Sequence, residues 1–299
     1  MPDAPRNCPV CNSRAYILFA EDNITACNLN SYAYSSRKTP EFMCHKLVKC
    51  MSCELIYALS PPDESFLKDA YGGADYDSSE AAACAADSYS RALAPHVGKL
   101  WNKSLAVDVG AGNGALLPHL LRQGFAEVVG VEPSLAAVEA AEKDVYPRLR
   151  QEMFSRESLA GRKADLLCSF MTLEHVPNPG RLFEIAYDAL APGGLLAVVV
   201  HDYAGMLNRM LGKRSPIIDL EHLQLFNRKS IRTLYERAGL HDVVVKPMVN
   251  TYPLHYWLQL MPLPNRIKNG MLHGKGLAKV LAKRVSFNVG NLFVVGSKR

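Results

Sequence analysis

The chain is 299 residues long, with 48% hydrophobic residues, 21% charged residues and a formal net charge of +5. That balance excludes a disordered or fibrous chain, and no apolar run approaches the roughly 18 residues that span a bilayer. The first residues, Met1 to Cys8, lack the basic-then-apolar pattern of a secretion signal, so a cytoplasmic location is expected.

Two cysteine pairs come first, Cys8-Pro9-Val10-Cys11 and Cys50-Met51-Ser52-Cys53. In a reducing compartment this spacing reads as a tetrahedral Zn2+ site rather than a disulfide framework. Two intervening residues let both thiolates turn onto one ion. Four thiolates leave no open coordination position, so the expected Zn2+ is structural. The 38 residues between the pairs exceed what a minimal ribbon needs, and a hairpin or inserted loop would absorb them. Cys44 and His45 are spare candidate ligands. Free thiols or a redox pair are the competing reading.

Pro61-Pro62 then breaks the chain, residues 71–76 read as a loop, and residues 81–100 read as a helix with Pro95 inside it. From Leu105 the pattern alternates between strands and helices. Strands are expected at Leu105–Val109, Glu127–Val131, near Leu149–Met153, at Ala164–Phe170, at Leu195–Val200, from Val243 and at Phe287–Val295. Helices are expected from Ala115 to Gln123, from a Ser134 cap to Asp144, from Gly180 to Leu190, and over 230–238. Such alternation with apolar strands means a doubly wound α/β sheet. The stretch near 251–285 reads as a cap inserted in a terminal hairpin.

Chemistry concentrates at Asp108-Val109-Gly110-Ala111-Gly112-Asn113-Gly114, between a strand and a helix. Glycines there let the backbone approach a ligand closely and adopt angles other residues avoid. Glu132 ends the next strand, 22 residues beyond Gly110, where a carboxylate can accept hydrogen bonds from ribose hydroxyls. A nicotinamide dinucleotide site and an S-adenosylmethionine (SAM) site compete for this pattern. Asp108, two residues before the first glycine, favours a positively charged ligand, and so SAM.

At these residues the chain resembles the class I SAM-dependent methyltransferases. Asp108, Gly110, Gly112 and Gly114 match their first motif, and Glu132 matches their ribose-binding acid. Leu173-Glu174-His175-Val176 and Glu221-His222-Leu223-Gln224-Leu225-Phe226 look like the branch that includes ubiquinone-type O-methyltransferases. The four-cysteine module also resembles that of bacterial methyltransferases acting on sugars or natural products, although no L-G-x-x-P-x-A-N-like segment lies between the pairs. The resemblance implies a Rossmann-like seven-stranded sheet of order 3-2-1-4-5-7-6 with strand seven antiparallel. It implies a zinc-ribbon-like module over 1–60, a linker and helical lead-in over 61–104, and a methyltransferase domain over 105–299. It also places Phe154, Ser155 and Met171 beside the cofactor.

The expected reaction is in-line transfer of a methyl group to a small-molecule acceptor, most simply a hydroxyl. His175 and His222 are the candidate bases, and His201-Asp202 is a third option more simply read as a packed pair. N- or C-methylation of a sugar or related product is the alternative within enzymes. A SAM-binding regulatory protein is the alternative outside them. After Asp242 the chain has nine basic and no acidic residues, whereas residues 1–242 carry 25 basic and 29 acidic ones. That tail, beside the aromatic run Tyr252–Met261, suits an anionic or amphipathic acceptor or a peripheral membrane contact. The cysteine module lacks the interleaved aromatic and basic residues of a nucleic-acid reader, so no nucleic acid is expected.

Overall fold

The most apolar runs of the sequence become the innermost strands. A computed structural model describes residues 5–24, 43–72, 79–260 and 278–299. Strands β4 (Leu105–Val109) and β7 (Ala164–Phe170) are buried at every position and lie side by side in parallel. Burial on both faces explains why they read as continuous apolar runs rather than alternating ones. Their two aspartates sit at strand ends. Asp165 starts β7 and accepts from the backbone N–H groups of Ser104 (2.7 Å) and Leu105 (3.2 Å), while Asp108 lies at the opposite end of β4.

Around this pair the sheet adds β5 (Glu127–Val131), β6 (Leu149–Arg150), β8 (Leu190–His201), β10 (His241–Pro253) and β11 (Arg284–Ser297). Its order is β10-β11-β8-β7-β4-β5-β6, with β11 antiparallel to both neighbours. Numbered within this sheet alone, that is 3-2-1-4-5-7-6, the Rossmann-like arrangement expected from sequence. Helix α2 (Ser79–Val97) covers one face, with Tyr89 and Leu93 buried among Phe170, Val199 and Phe293. Helices α5 (Pro179–Ala189) and α7 (Arg228–Arg237) cover the other. Phe183 and Tyr235 meet edge to face there, and the Tyr235 hydroxyl donates to the carbonyls of Leu196 and Val294.

A second sheet of four strands has the order β1-β2-β3-β9. The cysteine module supplies β1 (Tyr16–Ala20), β2 (Leu47–Cys50) and β3 (Ile56–Ala58). The fourth strand, β9 (Gln224–Leu225), comes from far along the chain and pairs antiparallel with β3. A strand of two residues has no periodicity, so the sequence gives no sign of it.

Several boundaries differ from expectation. Strand β8 begins at Leu190 rather than at the expected Leu195 and runs through Pro192-Gly193-Gly194. Partners on both sides hold it: Gly193 N–H donates to Lys298 O, Lys298 N–H donates to Gly194 O, and Leu190 pairs with Ala164. Residues Tyr71 and Gly72 close helix α1 (Glu64–Gly72) rather than forming a loop, and 73–78 lie outside the described residues. Ser134 does cap a helix, accepting from Ala137 N–H, but α4 (Leu135–Glu139) ends well before Asp144. The expected cap holds α8 (Leu254–Leu260) and α9 (Ala278–Leu281), with Tyr252, Tyr256, Trp257 and Phe287 in ring contact. Its remaining residues, 261–277, lie outside the described residues. No helix among the described residues is long and apolar enough to cross a membrane.

Candidate active site

The glycine turn follows β4 and leads toward helix α3 (Leu117–Arg122). Gly110, Gly112 and Gly114 all have positive φ, at 76°, 56° and 73°. A Cβ on Gly110 would stand 2.3 Å from Thr172 Oγ1, and one on Gly114 would stand 2.5 Å from Val145 Cγ1. Only glycine fits a turn that is both left-handed and this closely packed.

Two buried carboxylates flank the turn. Glu132 accepts from Gly112 N–H (2.8 Å) and from Ser134 N–H (2.9 Å), which fixes its orientation. Asp108 has no protein hydrogen-bond donor among the described residues. Burial pushes its carboxyl up to about 7, and the nearby charge of Glu132 pushes the same way. The proximity of two acids in a dry site favours a cation or a hydroxyl-bearing ligand.

The strand β7 end carries Met171, whose φ is 55° although it is not glycine. Its N–H donates to Val199 O, and its side chain packs with the core beneath. Backbone strain of this kind gathers at functional sites. Thr172 then abuts Gly110, and Thr172 O accepts from His175 N–H (3.0 Å). One short loop therefore joins the glycine turn to the first histidine. Phe154 packs at the edge of the main core, and Ser155 N–H donates to Ser158 Oγ (2.9 Å).

His175, His201 and His222 gather in one place. The ring centroids of His175 and His222 are 5.0 Å apart, and those of His201 and His222 are 5.1 Å apart. Glu221 lies between two of them, with Oε2 at 3.7 Å from His175 Nδ1 and Oε1 at 3.9 Å from His222 Nε2. A set of this kind can share a proton or a cation. His222 Nδ1 lies 2.8 Å from Ile217 O, a carbonyl that can only accept, so Nδ1 carries the hydrogen and Nε2 keeps its lone pair. His201 faces Asn291 Oδ1 at 2.9 Å, and burial lowers its imidazole to about 3. His201 therefore stays neutral and is a packed residue.

Below the histidines, Glu174 is fully buried. Its Oε1 accepts from His201 N–H (2.5 Å), its Oε2 has no hydrogen-bond partner among the described residues, and burial raises its carboxyl to about 7. In the sequence Glu174 and Glu221 appear only as letters of the two family-like segments; the contact between Glu221 and both histidines is visible only in three dimensions.

The four cysteines form a separate centre. Cys8 Sγ lies 3.5 Å from Cys53 Sγ, and Cys11 Sγ lies 3.4 Å from Cys50 Sγ; all four sulfurs lie within 4.8 Å of one another. These separations are too long for a disulfide and close to the ~3.8 Å between sulfurs around a tetrahedral Zn2+. Each knuckle closes in the same way. Asn12 N–H donates to Cys8 O, Glu54 N–H donates to Cys50 O, and both residues have positive φ. Cys44 is buried away from the four, its thiol toward Glu21 O, and His45 is not part of the cluster.

Residues 82–245 match the family described as a methyltransferase domain. The chain belongs to this family. A ubiquinone biosynthesis O-methyltransferase of Psychrobacter cryohalolentis is 32% identical over 97 residues, covering 30% of this chain and 37% of that one. One from Acinetobacter baylyi is 26% identical over 203 residues, covering 60% of this chain and 79% of that one. A trans-aconitate 2-methyltransferase of Deinococcus radiodurans is 36% identical over 102 residues, covering 33% and 39%. The chain thus spans under two fifths of the length of the first and third of these relatives.

In this methyltransferase domain the buried acid has a measurable cost. The Asp108 carboxyl sits at about 7 in the folded protein and near its ordinary 3.8 when unfolded. Between those values the unfolded chain releases a proton that the folded chain keeps. Stability from this group is therefore full below about pH 4 and is lost as pH rises through about 7. Asp108→Asn is expected to melt higher than wild type at pH 8, by about 2–4 kcal/mol, and to match it near pH 4. Thermal melts across that range check this; equal melting at pH 8 counts against it.

Proposed function

We propose that this chain is a SAM-dependent methyltransferase that transfers a methyl group to a hydroxyl of a small molecule, and that its four thiolates hold a structural Zn2+. The observation that carries the reading is the shared loop. Thr172 packs on Gly110 of the glycine turn, and His175, three residues on, faces Glu221 beside His222. A cofactor cradle and a proton-accepting cluster are thereby held next to each other.

The residues fit the cofactor. Asp108 is a buried carboxyl whose charged form a bound cation would favour, Glu132 is oriented by two backbone donors with acceptor capacity remaining, and the positive-φ glycines shape the turn between them. When bound, SAM supplies a methyl group on a positively charged sulfur. The histidine side would hold and orient the acceptor hydroxyl. Orientation of this kind is worth up to roughly 7–11 kcal/mol. His222 Nε2 would take the proton of the acceptor hydroxyl, and Glu221 would stabilise the resulting imidazolium. His175, on the other side of Glu221, is the second group able to hold that proton.

Calorimetric titration with SAM and with NAD tests the cofactor. Binding of NAD without binding of SAM would overturn the reading. His222→Ala is expected to lower turnover by about 10²–10⁴-fold while SAM affinity stays within a factor of two. Methyl transfer from radiolabelled SAM across an acceptor panel measures it, and unchanged turnover removes His222 as the base.

A further inference from the structure

The cysteine module meets the candidate active site through two side chains, the half-buried Arg6 of the module and the buried Gln224 beyond His222. Arg6 lies two residues before Cys8 and is half-buried. Its Nε donates to Ala58 O (2.9 Å) within the module. Its other nitrogens donate outward, to Pro177 O, to Leu223 O (3.4 Å) and to Gln224 Oε1 (3.4 Å). Gln224 is fully buried, and its amide donates to Leu173 O and to Val176 O (2.5 Å). Backbone bonds run parallel to these: Leu223 N–H donates to Glu174 O (2.7 Å), and Ala58 N–H donates to Leu223 O (2.8 Å).

The consequence is a three-way junction. The loop 173–177 carries His175 and the segment 221–225 carries His222; the Gln224 amide ties the two together, and the module's Arg6 guanidinium donates to both. Leu173 and Val176 bracket His175, and Gln224 stands two residues from His222, so one amide sets the distance between the two imidazoles. A guanidinium is suited to the task because its planar fork can donate to several fixed carbonyls at once, which an ammonium cannot do with the same geometry.

We propose that Arg6 and Gln224 are positioning residues of the His175–His222 site, through which the four-cysteine module holds the two imidazoles in register. The inference deepens the methyl-transfer reading and rests on it for the meaning of that register. Arg6 spends its donors on backbone carbonyls and on Gln224, and Gln224 spends its own on loop carbonyls, so each acts through the loops it ties.

The test reads the imidazoles directly, with the full-length protein. Histidine side chains are isotope-labelled and assigned by His175→Asn and His222→Asn. The nuclear Overhauser cross-peak between the rings of His175 and His222 is then measured in wild type, Gln224→Ala and Arg6→Lys. Calorimetry with SAM accompanies each sample. In both variants the cross-peak is expected to lose at least half its intensity while SAM affinity stays within a factor of two. A retained cross-peak in Arg6→Lys overturns the proposal. So does loss of SAM binding together with the cross-peak in both variants, because that is general collapse rather than local positioning. If Gln224→Ala fails to fold, Arg6→Lys decides alone. Failure of the wild type to bind SAM would sink the methyl-transfer reading and leave the junction still measurable.

Discussion

Replacing Gly110 by alanine is expected to weaken SAM binding by roughly 100-fold or more, the equivalent of about 2.7 kcal/mol. Two costs combine. An L-residue at φ 76° carries strain of about 1–2 kcal/mol. The added Cβ also meets Thr172 Oγ1 at 2.3 Å and Thr172 Cγ2 at 2.8 Å. Thr172 is short and β-branched, so it cannot swing aside as a lysine tip would. The loop must move instead, and that loop continues to Glu174 and His175. Gly161→Ala is the control. Its φ is 80°, but a Cβ there meets nothing within 4 Å. It should cost about 1–2 kcal/mol of stability and leave SAM affinity unchanged. Calorimetry on both variants separates strain from site damage, and a Gly110→Ala protein that binds SAM like wild type would remove the glycine turn as the cradle.

The second large effect is expected from Cys50→Ser. With the thiolate gone, bound zinc should fall from about one per chain to well below half, and the melting transition should fall by more than about 3 kcal/mol. Cys50 is central to the module: it ends β2, pairs across to Tyr16, and its carbonyl accepts the Glu54 N–H that closes the knuckle. Loss of the metal should loosen β3 as well, and with it the partner strand β9. Cys44→Ser is the comparison, since Cys44 lies outside the cluster. Elemental analysis by plasma mass spectrometry measures both. Equal zinc in Cys50→Ser and wild type contradicts the metal assignment.

What could be read in advance follows from the range of the forces involved. The central strands are legible because burial on both faces demands an unbroken apolar run, as in Ala164–Phe170. The glycine turn is legible because positive φ demands glycine at each of three positions. The cysteine cluster is legible because each Cys-x-x-Cys pair is a local pattern that brings two thiols together at one turn. By contrast, the start of β8 at Leu190, ahead of Pro192-Gly193-Gly194, is not legible because its stabilising partners, Lys298 and Ala164, are remote in sequence. Arg6 looks like one more charge near an N-terminus, and its acceptors are carbonyls up to 217 residues away. Glu221 has the same character. Backbone carbonyls and side-chain proximity leave no local pattern, so such contacts emerge only once the chain is folded.

The pairing of β3 with β9 has a consequence for how the protein is made. Glu54 and Asn227, bonded across that seam, are 173 residues apart. A ribosome adding about 5–20 residues each second needs roughly 10–35 s to cover that span. During that interval the nascent module has its thiols in place but one sheet edge unpaired, a template for wrong partners. Early capture of metal would close the knuckles at once and leave only that single edge to wait for the emerging second half of the chain.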